Sequence, residues 1–198
     1  MNATRQALID SMKELLWLRG YDATSPNQVL DHCGAGKGSF YHHFKGKKAL
    51  AIEALNSQVD NLIDDFDLIF GTDQPWLNKF QQYLLQPRTG RKGCPVGRIV
   101  SDPSMVDKEL RAPIERYFKH LLMHMSMTLN QAQQEGLLDD STSPVMLAET
   151  VVSAVQGGFI ISRALHDDHP VNSACLGVFN LLKGLSRQTE PMAVAVAG

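Results

Sequence analysis

Apolar residues recur at spacings of three and four along most of the 198-residue chain. This spacing is the period of an amphipathic α-helix that packs one face against a core. The pattern therefore predicts an all-α protein of about nine helices. The predicted helices span about 3–19, 26–33, 37–43, 46–70, 76–85, 95–102, 107–135, 144–165 and 170–187.

The last two predicted helices, at about 144–165 and 170–187, each carry two apolar faces rather than one. A helix that is apolar nearly all round is buried on two sides. Together the two helices have more apolar surface than one small domain can cover. We therefore predict that they pair with their copies across a two-fold axis and form a homodimer.

Residues 25–50 have the pattern of a helix–turn–helix. Ser25 is a good N-cap for the first short helix, and Gly34 marks the turn that follows it. In the second helix, Phe40 and Phe44 lie four residues apart, on the face that anchors the helix to its neighbours. The second helix of such a motif is the one that enters the major groove of DNA.

The opposite face of this second helix carries polar and small residues. Lys37 and Tyr41 lie four residues apart on it, with Gly38 and His42 beside them. Hydrogen-bond donors and small residues are what a helix needs where it approaches phosphates and bases. The alternative is an ordinary solvated face on a small helical bundle.

Charge is distributed unevenly along the chain. Residues 1–50 hold seven Lys+Arg and four Asp+Glu, whereas the whole chain has a net charge of −2. Lys47 and Lys48 open a predicted helix, where the macrodipole disfavours cations, and this suggests an anionic partner such as DNA phosphate. Ordinary surface charge would explain the asymmetry equally well.

The segment KGSFYHHFKGKKAL, residues 37–50, resembles the signature of the tetracycline-repressor (TetR) family of bacterial regulators. The preceding GYDATSPNQVLDHCGAG is similar to the second helix and turn of that family, and the match covers about residues 15–55. Gly36 departs from the family pattern, in which Ser or Thr often caps this helix. Asn27 and Gln28 replace a common basic residue, so no operator preference is transferred.

The resemblance implies a set of DNA-contacting residues. Lys37, Ser39, Tyr41, His42 and Lys47 fall where family members touch DNA. Lysines would supply salt-sensitive attraction, and Ser39, Asn27 or Gln28 would read base edges. A two-fold dimer would place two such helices about 34–36 Å apart on a palindromic operator of double-stranded DNA. The complete predicted set is Ser25, Asn27, Gln28, Lys37, Gly38, Ser39, Tyr41, His42 and Lys47.

The resemblance also implies a division into domains. Residues 1–46 are expected to form a three-helix helix–turn–helix DNA-binding domain, and residues 47–188 a larger helical domain for ligand binding and dimerisation. The helix at about 46–70 is long enough to connect the two, which makes it the natural lever between ligand and DNA. Residues 189–198 have no helical period, and we predict that they are disordered.

The larger domain is expected to hold a cavity for a small-molecule effector of unknown identity. For each candidate, plain core packing is the alternative, because apolar stripes are usually core. His120, His124 and Arg163 could orient an acidic or polar ligand, although exposed positions would suit them equally. The candidate lining residues are Trp76, Phe80, Tyr83, Cys94, Tyr117, Leu121, Met125, Gln156 and Phe159.

Cys94 has two possible roles. It precedes a predicted short helix, and Arg88, Arg91, Lys92 and Arg98 are near it in sequence. A helix N-terminus and cationic neighbours both favour the reactive thiolate. The Gly-Cys pair also resembles a TetR subgroup in which some members sense electrophiles or oxidants through that cysteine. The alternative is an inert, buried cysteine that only packs.

Several classes of function lack their motifs in this sequence. It contains no nucleophile elbow, no phosphate-binding loop and no His/Cys cluster with metal-ligand spacing, so we expect no catalytic site, metal or cofactor. Three scattered cysteines without a signal peptide indicate reduced thiols in a cytoplasmic protein. We also expect no membrane association, because no apolar run approaches about 20 residues.

The favoured interpretation is a ligand-responsive transcriptional repressor. It would bind a palindromic operator as a homodimer and be released by a small molecule or by modification of Cys94. Two alternatives remain open. A helical enzyme could use Cys94 as its nucleophile, and a constitutive DNA-binding or adaptor protein would have a well-packed second domain without a cavity.

Overall fold

The computed structural model describes residues 3–187, and in this range the chain is all-α, as predicted. Three short 3₁₀ helices, Gly90–Lys92, Gly97–Ser101 and Pro103–Val106, connect α5 to α6. The predicted tail at 189–198 lies outside the described residues. The α-helices are α1 (Ala3–Arg19), α2 (Pro26–Cys33), α3 (Lys37–His43), α4 (Lys47–Phe70), α5 (Trp76–Leu85), α6 (Lys108–Gln134), α7 (Pro144–Leu165) and α8 (His169–Leu185).

The short helix predicted from Pro95 is a 3₁₀ helix that begins at Gly97. Glycine is a poor helix former, and 3₁₀ helices are used for such short pieces. Val96 is the residue directly before this helix, so Cys94 lies two residues ahead of the N-cap position, although its sulfur accepts a hydrogen bond from the Gly97 amide. The helix that follows Cys94 is thus a short 3₁₀ segment, which offers the Cys94 sulfur one backbone amide and not the dipole of a long α-helix.

The start of α2 follows the sequence signals. The Ser25 hydroxyl accepts a hydrogen bond from the Gln28 backbone at 3.3 Å, and the Gln28 side chain accepts one from the Ser25 backbone at 2.7 Å. This reciprocal pair is a capping box. Gly34 ends α2 with a φ of 69°, a conformation that glycine adopts without strain.

The buried apolar side chains form two clusters. The first joins α1, α2, α3 and the beginning of α4, and it also includes Ile99, Met105, Leu110 and Ile114 from beyond α5. The second lies among the rest of α4 and α5, α6, α7 and α8. Phe118 of α6 packs against both clusters. We call α1, α2, α3 and the beginning of α4 the head; it shares its core with the 3₁₀ segment and with the start of α6.

The last two helices pack closely. A side chain at Gly158 of α7 would place its Cβ 2.8 Å from the Val171 backbone of α8. The buried Ser162 hydroxyl accepts a hydrogen bond from the Val171 amide at 3.0 Å. Their outer faces nevertheless remain apolar and open, with Ile160 70% exposed and Leu181 68% exposed. This pair of helices is therefore covered on its inner side only.

Helix α7 is long and apolar enough to cross a membrane by length and composition alone, although charged residues interrupt its apolar run. Its most apolar window has a mean hydropathy of 1.5, and 39% of that window is buried. One such helix is weak evidence, since a core helix of a soluble protein has the same properties. Here α7 packs against α6 and α8 and carries Glu149, Gln156 and Arg163.

Candidate nucleic-acid interface and internal cavity

Helix α3 is anchored by its two phenylalanines and exposes its other face. Phe40 and Phe44 are buried, with ring centroids 6.3 Å apart, whereas Tyr41 is 69% exposed. Lys37, Gly38 and His42 are exposed and Ser39 is half-buried. The face predicted to meet DNA is therefore turned to solvent.

The other predicted DNA-contacting residues lie at the N-termini of neighbouring helices. Asn27 is exposed at the start of α2, while Ser25 and Gln28 are engaged in its capping box. Lys47 begins α4 and holds its amino group 4.0 Å from the Tyr21 ring centroid. Backbone N–H groups and positive dipole ends favour anions at such positions.

Lys48 has a different role from the one its position suggested. Its amino group lies 2.7 Å from Asp107 and 2.5 Å from Glu109, at the start of α6. These carboxylates raise the pKa of Lys48 above its ordinary value. The anionic partner of Lys48 is therefore within the chain, and this ion pair ties the start of α4 to the start of α6.

A cavity of about 220 Å³ lies in the larger domain, among α4, α5, α6, α7 and the segment after α5. Five predicted residues line it, namely Tyr83, Cys94, Tyr117, Gln156 and Phe159. It is smaller than the roughly 300–1,000 Å³ of pockets for drug-sized ligands, which favours a small effector. The lining residues that the sequence did not reveal are Leu62, Asp65, Phe66, Ile69, Gln86, Arg88, Pro95 and Val155.

Four predicted lining residues do not reach this cavity. Phe80, Leu121 and Met125 are fully buried in the second cluster, and Trp76 lies beside a separate groove near the α4–α5 turn. For these four, core packing and not the cavity explains the apolar stripe. The sequence did not predict the cavity-lining residues of α4, such as Leu62, Phe66 and Ile69. Their apolar stripe predicted core packing and gave no sign of a cavity.

The cavity wall is polar at one end. The buried residues Tyr83 and Tyr117 both line this wall. Burial raises the pKa of Tyr83 to about 12, although the Arg88 guanidinium opposes this shift. Arg88 is fixed by the carbonyls of Tyr83, Leu84 and Gln86 at the end of α5. An uncharged ligand with a hydrogen-bonding group would suit this wall.

Cys94 is 5% exposed and lines the same cavity. Its sulfur accepts a hydrogen bond from the Gly97 amide at 3.2 Å and also contacts Gln156. Burial raises the pKa of the Cys94 thiol, and these hydrogen bonds and Arg88 only partly oppose it. Of the two roles considered for Cys94, this environment favours the buried, protonated thiol.

The segment that carries Cys94 continues directly onto the N-terminal head. The Trp17 indole donates to the Gly93 carbonyl at 3.1 Å, and the Arg98 guanidinium donates to the Trp17 carbonyl. Asp102 accepts hydrogen bonds from the Tyr21 and Asp22 amides at 2.7 and 3.2 Å. We call residues 93–102 the clamp, because they hold the end of α1 and the α1–α2 turn.

Three potential metal ligands also come together in the structure, where the sequence predicted no metal site. Asp67 of α4 and His120 and His124 of α6 offer ligand atoms within 4.8 Å of one another. The two histidines are one helical turn apart, which was a visible signal, but the carboxylate comes from a helix more than 50 residues earlier.

Comparison with known proteins agrees with this architecture. A profile of bacterial regulatory proteins of the tetR family matches residues 8–54, and a profile of the LmrA/YxaF-like transcriptional regulator C-terminal domain matches residues 74–175. The chain belongs to the TetR family of transcriptional regulators. The family resemblance predicted from the motif at about residues 15–55 is thereby confirmed, whereas membership of a Gly-Cys subgroup stays a prediction.

Similar regulators match about nine-tenths of the chain. The HTH-type transcriptional regulator LmrA of Bacillus subtilis is 28% identical over 91% of this chain and 97% of its own. The HTH-type transcriptional repressor NemR of Escherichia coli is 20% identical over 90% of this chain and 94% of its own. The crystal structure of reduced E. coli NemR has the same fold, with a TM-score of 0.78 and 18% sequence identity. The match covers 93% of this chain and 98% of the NemR chain.

Membership of the TetR family gives general roles to the head and to the remaining helices around the second cluster, which we call the body. TetR regulators bind DNA operators through the helix–turn–helix and typically act as dimers that respond to small molecules. The head of this chain has the exposed α3 face that such binding requires. The body has a cavity, which an adaptor with a fully packed second domain would lack.

Proposed function

We propose that this TetR-family protein is a homodimeric repressor that releases its operator when a small molecule occupies the Cys94-lined cavity. The observation that carries the proposal is the continuity between cavity and head. Cys94 and Pro95 line the cavity, and the adjoining Gly93 carbonyl is bonded to Trp17 of α1. A ligand that displaces Cys94 must therefore strain or shift the contacts that hold the head.

The DNA contacts proposed are those of α3 and of the helix N-termini beside it. Lys37, Tyr41 and His42 would face the major groove, and Lys47 would lie near phosphates. Ser25 and Asn27 would contact the backbone or base edges from the start of α2. Gln28 would contribute through the amide group that its capping box leaves available.

Helix α4 supplies a second route between cavity and head. Leu62, Phe66 and Ile69 of α4 line the cavity, while Leu50 and Leu55 of the same helix belong to the head cluster. A ligand could therefore shift α4 as well as the clamp. Either movement changes the separation of two heads in a dimer, and a coupling of about 1–3 kcal/mol would suffice for regulation.

The dimer proposed here uses the outer faces of α7 and α8. Ile160, Ile161 and Leu165 of α7 and Leu176 and Leu181 of α8 are exposed apolar side chains on these helices. A second copy of the chain is the natural occupant, because a two-fold axis pairs each apolar face with itself. Members of the family typically act as dimers, which supports this assignment.

Selection of genomic fragments with the purified protein should yield a palindromic duplex with two half-sites. The variant Ile160→Asp/Leu181→Asp should be monomeric in sedimentation and bind that duplex at least about tenfold more weakly, because one head loses its partner. Val106→Asp, at an exposed apolar position of the clamp-to-α6 connection, is the matched control. If the double variant remains dimeric, the dimer interface lies elsewhere. If the selected fragments contain no palindrome, the protein does not bind DNA as a two-fold complex.

Modification of Cys94 is a second candidate trigger, because its sulfur lies in the cavity wall where an effector would sit. N-ethylmaleimide is a suitable probe: the thiolate sulfur adds across its double bond, and the neighbouring carbon takes a proton from water. The adduct would occupy the cavity. The E. coli relative was solved in a form described as reduced, which makes thiol chemistry reasonable to test here.

Alkylation should be slow near neutral pH and should release DNA once it occurs. Because burial raises the pKa of Cys94, the reaction rate should keep rising with pH past the ordinary cysteine value of 9.0. Mass spectrometry would measure how much adduct forms. Fluorescence anisotropy of labelled operator DNA would measure how much DNA is released. The experiment belongs in a Cys33→Ala background, since Cys33 is the less buried thiol. Equal DNA release from Cys94→Ser would dismiss Cys94 as a trigger.

A further inference from the structure

Asp67, His120 and His124 form a compact group between α4 and α6, which we call the DHH cluster. One ligand atom from each residue lies within 4.8 Å of the others. His120 and His124 project from the same face of α6 because they are one turn apart. The His120 Nε2 atom lies 2.7 Å from Asp67 Oδ1, so the carboxylate already faces the imidazole.

The donor set of the DHH cluster suits a divalent transition metal. Two imidazole nitrogens and one carboxylate oxygen are common ligands of Zn²⁺, which binds them at about 2.0–2.2 Å. Tetrahedral coordination at this range separates neighbouring ligand atoms by about 3.4 Å. The 2.7 Å contact would therefore open by less than 1 Å, and separations of up to 4.8 Å would close by up to about 1.4 Å, to create the site.

The surroundings hold the histidine rings while leaving the cluster accessible. The Phe66 ring packs edge-on against both imidazoles, with centroid separations of 5.8 Å to His120 and 6.3 Å to His124. The side chain of His120 is 19% exposed and that of Asp67 is 44% exposed. The imidazoles are thus restrained by packing, while solvent can reach the carboxylate and supply a fourth ligand.

We propose that the DHH cluster binds one divalent transition metal of the zinc class and so joins α4 to α6. The metal replaces the single hydrogen bond between Asp67 and His120 with bonds that include His124. Helix α4 leads from the head, and Phe66 also lines the effector cavity. The site does not include Cys94 or the DNA-facing residues of α3. The metal proposal can therefore be tested independently of the proposed repressor mechanism.

Cobalt(II) is the probe of choice, because its visible absorption reports the ligand set. Tag-free, full-length protein that has been treated with a chelator and kept reduced should bind one Co²⁺ per chain. The spectrum should lack the near-ultraviolet band of thiolate ligation. Zinc should displace the cobalt and raise the melting temperature of the protein.

His124→Gln and Asp67→Asn should each weaken metal binding by at least about tenfold, since even indirect partners of metal ligands have effects of this size. His169→Gln, at an exposed histidine near the start of α8, is the matched control and should bind like wild type. Circular dichroism would establish that the variants are folded, and the zinc-induced rise in melting temperature should disappear in both.

Three results would overturn the metal site. Absence of binding at 100-fold excess of metal would reduce the DHH cluster to a hydrogen-bonded His–Asp pair. Equal affinity in wild type and His124→Gln would place the metal elsewhere. A thiolate absorption band would assign it to a cysteine. If DNA binding persists in any of these cases, the proposed repressor function is unaffected.

Discussion

The double variant Lys37→Ala/Tyr41→Ala should bind the selected operator about 100-fold more weakly than wild type, or worse. A major-groove contact is worth about 1–3 kcal/mol, and the two residues lie on the same exposed face of α3. Removing the positive charge of Lys37 should also reduce the salt dependence of binding, seen as a shallower slope of log K against log salt concentration. Anisotropy titrations at several salt concentrations would measure both effects.

The variant should lose DNA binding without losing its fold. Tyr41 is largely exposed, and the anchoring face of α3 depends on Phe40 and Phe44, so the free energy of unfolding should change by less than about 1 kcal/mol. Lys119→Ala removes an exposed lysine from α6 and is the matched control for charge. Wild-type affinity in the double variant would mean that another surface of the head meets DNA.

Local signals in the sequence predicted much of the fold. Ser25, Gly34 and the Phe40/Phe44 pair act within one or two helical turns, and the structure has a cap, a turn and an anchored helix at those places. The family motif added the identity of the exposed face. The predicted helix bounds agree with the structure because hydrophobic periodicity, capping residues and terminal glycines all act within short segments.

Contacts between distant segments were not predictable in the same way. Lys48 looked like a phosphate ligand until α6 placed Asp107 and Glu109 against it. Cys94 looked activated by its neighbours in sequence, but the surrounding helices bury it and its helix begins three residues later. Asp67 and His120 reveal a shared site only after α4 packs on α6.

The cavity illustrates the same limit. Aromatic and apolar residues of α5, α6 and α7 were reasonable candidates, yet Phe80, Leu121 and Met125 are core and Arg88 and Asp65 are lining. A periodic apolar stripe identifies the inward face of a helix. It does not say where along that face the packing leaves a gap, because this depends on side chains from several helices at once.

Asp102→Asn should lower the free energy of unfolding by about 2 kcal/mol at neutral pH. The carboxylate accepts hydrogen bonds from the amides of Tyr21, Asp22 and Ser104 and from the Ser104 hydroxyl. Hydrogen bonds to a charged group contribute about 1.5–3 kcal/mol each when well shielded, and partial exposure here reduces the sum. Urea unfolding of wild type and variant at equal protein concentration would measure the difference.

The effect of Asp102→Asn should depend on pH. Burial alone would raise the pKa of Asp102, but the hydrogen bonds from Ser104, Asp22 and Tyr21 outweigh it and hold the pKa below the ordinary value of 3.8. A depressed pKa contributes stability above the unfolded-state pKa, and that contribution is lost as the pH falls through the folded-state pKa. The difference between variant and wild type should therefore shrink below about pH 4.

Asp102 also tests whether the clamp transmits the signal from the cavity. In the variant, alkylation of Cys94 should release less DNA, because the amides of the α1–α2 turn are no longer held by the segment that the adduct displaces. Asp73→Asn, at an exposed carboxylate in the α4–α5 turn, should change neither stability nor release. Undiminished release from a destabilised Asp102→Asn protein would assign transmission to α4, whose cavity-lining residues Phe66 and Ile69 provide the other route to the head.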